Sequence, residues 1–145
     1  VELEAKGFRE IDNKECFSST GTSAASQCFV ALRNDQAETF TIMTDQGPVA
    51  MFGCLPIIDQ GVPPGWCVLW FLATPDLFTV KKDFMQQVSG WLDWLQRFTP
   101  FGVNHVSAEN TVALKWCQAV GFTVDIEAPY GLHGEPFRAV LRVRK

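Results

Sequence analysis

Two periods alternate along the chain. In some stretches apolar residues recur every third or fourth position, as on one face of a helix. In others they recur every second position, as on one face of a strand. Val1–Lys6 has the pattern of a short helix, stopped by Gly7, and a polar stretch rich in Ser and Thr then runs to Gly21. Residues 23–34 are helix-compatible, with Ala24, Gln27, Cys28, Ala31 and Leu32 at helical spacing. Thr39 to Met43 alternates polar and apolar, Asp45 to Gly47 forms a turn, and Val49 to Leu55 returns as the second strand of an antiparallel hairpin. Pro56 and the loop Asp59 to Gly65, with Pro63 and Pro64, break the pattern. Trp66 to Leu72 is apolar throughout, which predicts a strand covered on both faces in the middle of a sheet.

Thr79 to Phe98 is the clearest helix. Val80, Phe84, Val88, Trp91, Leu95 and Phe98 form one stripe, Thr79 is the expected N-cap, and Pro100 and Gly102 stop the run. Trp94 falls off that stripe and is expected to be partly exposed or to meet a partner. Val103 to Val106 is a short strand, and Asn110 caps a second helix whose inner face is Ala113, Trp116, Cys117 and Val120. Gly121 supplies the left-handed residue that ends it. Phe122 to Ile126 and Phe137 to Val143 are strands joined by the loop Pro129 to Gly134. In the last strand Phe137, Ala139, Leu141 and Val143 alternate with Arg138, Val140, Arg142 and Arg144.

This order predicts a single α/β domain over residues 1–145. Its sheet is mixed, mainly antiparallel and twisted, with helices on both faces. The chain has 145 residues, 47% of them hydrophobic, enough for one core. Its net charge of -4 argues against a nucleic-acid partner. The basic cluster Arg138, Arg142, Arg144 and Lys145 is assigned to the solvent face of the last strand. Cys16, Cys28, Cys54, Cys67 and Cys117 form no Cys-x-x-Cys pair, so buried thiols are expected rather than disulfides or a metal site. No signal peptide and no membrane span is visible. The chain starts at Val1 without Met, which leaves room for a native N-terminal strand ahead of it.

The order of elements resembles the GNAT (N-acetyltransferase-like) fold. Its last helix often reads Asn-x-x-Ala-x-x-Leu-Tyr-x-x-x-Gly-Phe, and here Asn110, Ala113, Trp116, Cys117, Gly121 and Phe122 occupy the corresponding places. A second resemblance covers most of the chain from Pro48 onward. Pro48 to Gly53, Trp91 to Asp93, Asn110 to Phe122, Pro129 to Gly131, Gly134, Pro136 and Phe137 are similar to internal virion or virion-assembly proteins of short-tailed bacteriophages. That resemblance implies phage virion or host proteins as partners, in the virion interior or the host cytoplasm.

The GNAT resemblance implies a set of chemical requirements. Acetyl-CoA needs a pyrophosphate cradle, usually a Gly-rich loop opening the long helix, where free N–H groups and the helix dipole meet the anion. Pro75 to Lys82 holds that place and contains no glycine; Asp76 adds a repelling charge, and Lys81 and Lys82 are the only attracting ones. The position of the usual Tyr acid is Cys117, a thiol that either packs or donates a proton. His105 is the candidate base, read alternatively as a structural histidine. Backbone N–H groups near Phe71 and Leu72 would face the thioester oxygen, and Asn110 would complete the cofactor set. Glu109 is assigned to the helix dipole, and His133 has no second ligand nearby. Tyr130 is either packing or a partner contact, and Trp94 is the other partner candidate.

Two readings follow. In the first, the chain is a GNAT-fold phage protein that acts by protein–protein contacts, without catalysis and without a cofactor. In the second, it is an acetyl-CoA-dependent N-acetyltransferase with a degenerate pyrophosphate loop. The second requires a V-shaped gap between the strand Trp66 to Ala73 and the strand Val103 to Val106. A third, between them, is a binder of acylated amino acids or peptides in the same gap.

Overall fold

A computed structural model describes residues 7–145, and the helix expected over Val1–Lys6 lies outside the described residues. Two helices, α1 (Glu10–Thr20) and α2 (Ala24–Leu32), precede the hairpin β1 (Glu38–Thr44) and β2 (Gly47–Pro56). Then come β3 (Trp66–Ala73), a 3-10 turn (Pro75–Val80), α3 (Lys81–Leu95), β4 (Phe101–Ser107), α4 (Thr111–Ala119), β5 (Thr123–Pro129) and β6 (Pro136–Val143). The strands form one 6-stranded sheet in the order β1-β2-β3-β4-β6-β5. Only β3 and β4 run parallel, because α3 connects them as a crossover; the other neighbours are antiparallel.

The sheet has a core on each face. Ala50, Phe52, Cys54, Cys67 and Leu69 meet Phe84, Val88, Leu92 and Leu95 of α3 and Cys117 of α4. On the opposite face Met51 and Leu72 meet Ala24 and Cys28 of α2. The expected α/β class, mixed sheet and two-sided helical cover are all present. So is the central position of β3.

Four local readings are corrected. The polar stretch before Gly21, to which the sequence pattern assigns no element, is α1. Its residues carry no apolar period, and the one it buries is a carboxylate, Asp12, at 2% exposure. Polar bonds to the sheet hold this helix, so hydrophobic spacing misses it. Gly21, at φ 76°, ends it in the left-handed conformation.

The long helix starts at Lys81 rather than Thr79. Thr79 caps nothing, since its Oγ1 donates to the Asp76 carbonyl inside the 3-10 turn. The helix also ends before Phe98, which is 78% exposed. The chain turns at Gln96, whose buried amide donates to the Pro100 and Arg142 carbonyls at 3.0 and 2.9 Å.

The last strand reverses one assignment. Arg142 is not on a solvent face but 8% exposed. Its guanidinium donates to Gln96 Oε1 at 2.7 Å and to the Val120 carbonyl at 3.0 Å, and pairs with Asp93 at 2.9 Å. Helices cover both faces of the sheet, so neither set of alternating side chains meets open water throughout.

Gln96 and Arg142 therefore act as one unit, fixing the end of α3 on β6. Gln96→Ala strips a partner from a buried guanidinium and leaves a void. It is expected to lower stability by about 2–4 kcal/mol, read as a shift of the urea midpoint at unchanged slope. A loss below about 0.5 kcal/mol, the size of an ordinary surface effect, would show that the pair does not anchor the helix.

Candidate active site at the splayed strands

β3 and β4 pair over a short register only: Trp66 with Phe101, Cys67 with Gly102 and Val68 with Val103. Beyond Val68 the two strands diverge, although each continues for several residues. At the closed end glycine is required at position 102, since a Cβ there would overlap the Leu69 side chain and crowd the Gln96 amide. This is the V-shaped gap that the acetyltransferase reading requires.

Hydrogen bonding decides which β3 groups face the gap. The Thr74 N–H donates to the Val49 carbonyl, and the Ile57 N–H to the Trp66 carbonyl, both at 2.9 Å. Antiparallel pairing alternates, so the even residues of β3 bond to β2 and the odd residues point toward β4. Leu72 is therefore turned away from the gap and onto Met51, which corrects its assignment as a donor there. Leu69 and Ala73 point in, but their groups are engaged. Asn104 Nδ2 donates to the Leu69 carbonyl at 2.6 Å. The Ala73 N–H donates to Asp12 Oδ2 at 2.9 Å, and the Ala73 carbonyl accepts from the Arg9 N–H at 2.8 Å. Between them Phe71 presents its N–H and C=O to the gap.

The open end of the V is bridged by α1. Asp12 holds β3 and takes a two-pronged bond from Arg9, at 3.0 and 2.8 Å. One turn later Glu15 Oε1 accepts from the Ser107 N–H of β4 at 2.9 Å and from Asn110 Nδ2 at 3.0 Å. Both bonds fall on one oxygen, and Glu15 lines a cavity of about 430 Å³ that passes through the gap. Burial pushes its pKa above the ordinary carboxylate range; the bonds from Asn110 and Ser107 oppose this without cancelling it.

The cavity has two unlike ends. At α1 it is lined by Arg9, Asp12, Glu15, Asn104, His105 and Asn110. Between α3 and α4 it is lined by Phe71, Phe84 and Trp116, whose rings pack on one another at 5.4 to 5.5 Å. Trp116 Nε1 is buried there without an acceptor. At the outer rim stand Phe78, Lys81, Val112 and Lys115.

His105 stands at the α1 end, its ring stacked on Tyr130 at 3.8 Å and 4°. Partial burial lowers its pKa, so it is neutral at pH 7. Tyr130 also meets Phe137 edge-on, so its ring packs within the chain. Cys117 lines the cavity from α4, and burial raises its pKa to about 12. Asn110 lines the cavity, caps α4 by accepting from the Ala113 N–H and donates from its amide to Glu15. Glu109 pairs with Lys14 across the surface at 2.6 Å. Lys81 lies at the rim but Lys82 does not line the cavity. Trp94, far from it, is 49% exposed, with its ring against Phe40 and under the Arg97 guanidinium. Among the described residues no three His, Cys, Asp or Glu side chains are grouped to hold a metal ion. No described helix is long and apolar enough to cross a membrane.

Sheet order, the central splay and the flanking helices can be compared with solved structures. A point variant of spermidine N-acetyltransferase from Vibrio cholerae superposes with a TM-score of 0.59 at 12% identity, over 82% of this chain and 72% of that one. The ribosomal-protein-S5-alanine acetyltransferase of Vibrio fischeri gives 0.63 at 14% identity, over 83% and 68%. AAC(6')-Ib in complex with ribostamycin and coenzyme A gives 0.59 at 13% identity, over 78% and 67%. The fold is that of the GNAT acetyltransferases. The chain matches no protein-family profile and no curated protein. The phage-protein resemblance gains nothing from these comparisons.

A coenzyme A thioester fits one half of the site. The aromatic slot suits a thin arm of methylenes and amides, and Trp116 Nε1 and the Phe71 backbone are groups such an arm would satisfy. The nucleotide half does not fit. Pro75 has no N–H, the Leu77 N–H already donates to the Thr74 carbonyl at 3.2 Å, and Asp76 stands in the first turn. These groups do not build a cradle for a pyrophosphate.

The raised pKa of Glu15 has a thermodynamic signature. Folded Glu15 keeps its proton to higher pH than the unfolded chain does, so it subtracts stability as pH rises through and above the ordinary carboxylate range. Glu15→Gln removes that titration. Denaturation between about pH 4 and about pH 7 is expected to shift in favour of the variant as pH rises, whichever protein is more stable at pH 4. A difference constant across that window would mean that Glu15 titrates as an ordinary surface acid.

Proposed function

We propose that the chain is an N-acyltransferase that moves an acyl group from a thioester to an amine, with Glu15 as the general base. The observation that carries this reading is a partly buried carboxylate of raised pKa placed where the strands splay, at one end of a cavity whose other end is a slot for a thioester arm. The GNAT fold supports it, since the proteins of similar structure named above are acetyltransferases. The thioester supplies an activated acyl carbon when bound. Phe71 N–H donates to the carbonyl oxygen as negative charge develops there. Glu15 takes the proton that the amine nitrogen releases as the C–N bond forms and the C–S bond breaks. Cys117 stays a thiol: at about 12 its pKa lies above that of an ordinary leaving thiol, so it is a poor acid for the departing sulfur, which leaves as a thiolate and takes up its proton by equilibration with bulk solvent. His105 stays outside the chemistry, its ring committed to Tyr130 at the mouth for the amine.

Release of free thiol from acetyl-CoA, followed against a panel of amines, tests the assignment. Glu15→Gln is expected to lower kcat by about 10²–10³-fold with thermal stability retained, while Cys117→Ala and His105→Ala change it by less than about tenfold. A large loss in His105→Ala with Glu15→Gln unaffected would move the base to His105.

The glycine-free connection between β3 and α3 favours a second reading. In it the fold is a scaffold for protein contacts, with phage virion or host proteins as partners and Trp94 and Tyr130 as contact residues. Absence of turnover with every amine and every thioester tried would leave that reading in place.

A further inference from the structure

The two halves of a coenzyme A thioester meet unequal surfaces, and this inequality specifies the donor. We infer that the chain recognises its acyl donor through the pantetheine arm alone, and that the adenosine diphosphate portion contributes nothing to binding. The inference rests on the acyltransferase reading and deepens it.

Three observations carry it. First, the arm's path is built. The cavity has the volume of a small-molecule site, about 430 Å³, and is walled by the interlocked rings of Phe71, Phe84 and Trp116. In the aromatic slot the polar groups are few and unspent: the buried indole N–H of Trp116 without an acceptor, and the gap-facing N–H and C=O of Phe71. An arm with two amides is the chemistry that satisfies such sparse donors and acceptors in an apolar slot.

Second, the cradle for a diphosphate is filled in. The connection after β3 is a 3-10 turn from Pro75 to Val80, and the Lys81 N–H that would open α3 already donates to the Phe78 carbonyl. A proline without N–H, turn amides donating inward and a carboxylate at Asp76 leave no concave set of donors. Phe78, 55% exposed, places an apolar ring at the rim instead.

Third, the charge left at the rim is two separate lysines. Lys81 and Lys115 flank the opening from α3 and α4. Exposed lysines attract a lone phosphate loosely and without geometric demand. The shared chemistry is thus an acylated pantetheine arm. Either free coenzyme A, with its nucleotide in solvent, or a carrier protein bearing the arm on a phosphate would present it.

Binding separates this inference from the reading it rests on. Calorimetry of coenzyme A and of pantetheine against the intact chain is expected to give dissociation constants within about tenfold of each other. Coenzyme A tighter by about tenfold or more would overturn the inference while leaving acyl transfer standing. No binding of either ligand would overturn both. Trp116→Phe keeps the ring and removes the donor, and it is expected to weaken both ligands by the same factor. A loss confined to coenzyme A would contradict recognition through the arm. In turnover, acetyl-pantetheine is expected to match acetyl-CoA in kcat/KM within about tenfold, and a larger deficit would also overturn the proposal. An acetylated carrier protein as third donor assigns the source: transfer faster than from acetyl-CoA places the arm on a protein, and slower transfer places it on the free thioester.

Discussion

Two parallel strands that part company leave main-chain groups facing a gap, and buried main-chain groups without partners are costly. In this chain the cost is met by carboxylates. Asp12 takes the Ala73 N–H on one strand, and Glu15, one helical turn on, takes the Ser107 N–H on the other. The spacing of three residues places both on the same side of α1, so one short helix spans the opening. Asn104 performs the same service nearer the closed end. Everything functional in the structure depends on this bridging. Without it the strands would either close their ladder, eliminating the cavity, or expose it to water.

The bridge also sets the chemistry. A carboxylate recruited to hold a strand is necessarily drawn out of water, and desolvation raises its affinity for a proton. Asp12 takes a two-pronged bond from Arg9; Glu15 receives neutral donors on one oxygen, and its pKa is raised by burial. Support for the two strands thus comes from two carboxylates of one helix.

Most of the fold was legible in the sequence because most of it is held by apolar burial. The period of two in Thr39 to Met43, the unbroken apolar run of Trp66 to Leu72 and the stripe from Phe84 to Leu95 all describe contacts with a core. The candidate site was legible only in part. Phe71, Lys81, His105 and Cys117 do line the cavity. Glu15, Asp12, Arg9, Asn104 and Lys115 were missed. The first three flank or belong to a helix whose only buried side chain is charged, and no hydrophobic period marks such a helix. The available signal was weaker: two acids three residues apart, after an arginine, in a stretch too polar to be folded by burial. Arg142 was misplaced for a related reason, since its neighbours in the core are a glutamine and a carbonyl.

The attachment of α1 has one further aspect. Its N-terminal end is fixed to β3, and near its other end the Leu132 N–H of the β5–β6 loop donates to the Ser18 carbonyl. The bonds at Ala73, Ser107 and Leu132 each use a main-chain group on at least one side, and main-chain groups are the same whatever side chain is attached. The outward residues Glu10, Lys14 and Phe17 take no part in them. Drift at those positions can therefore change the outer face of α1 while the strands below stay in register. A lineage carrying this helix is free to change the surface it shows without renegotiating how it folds.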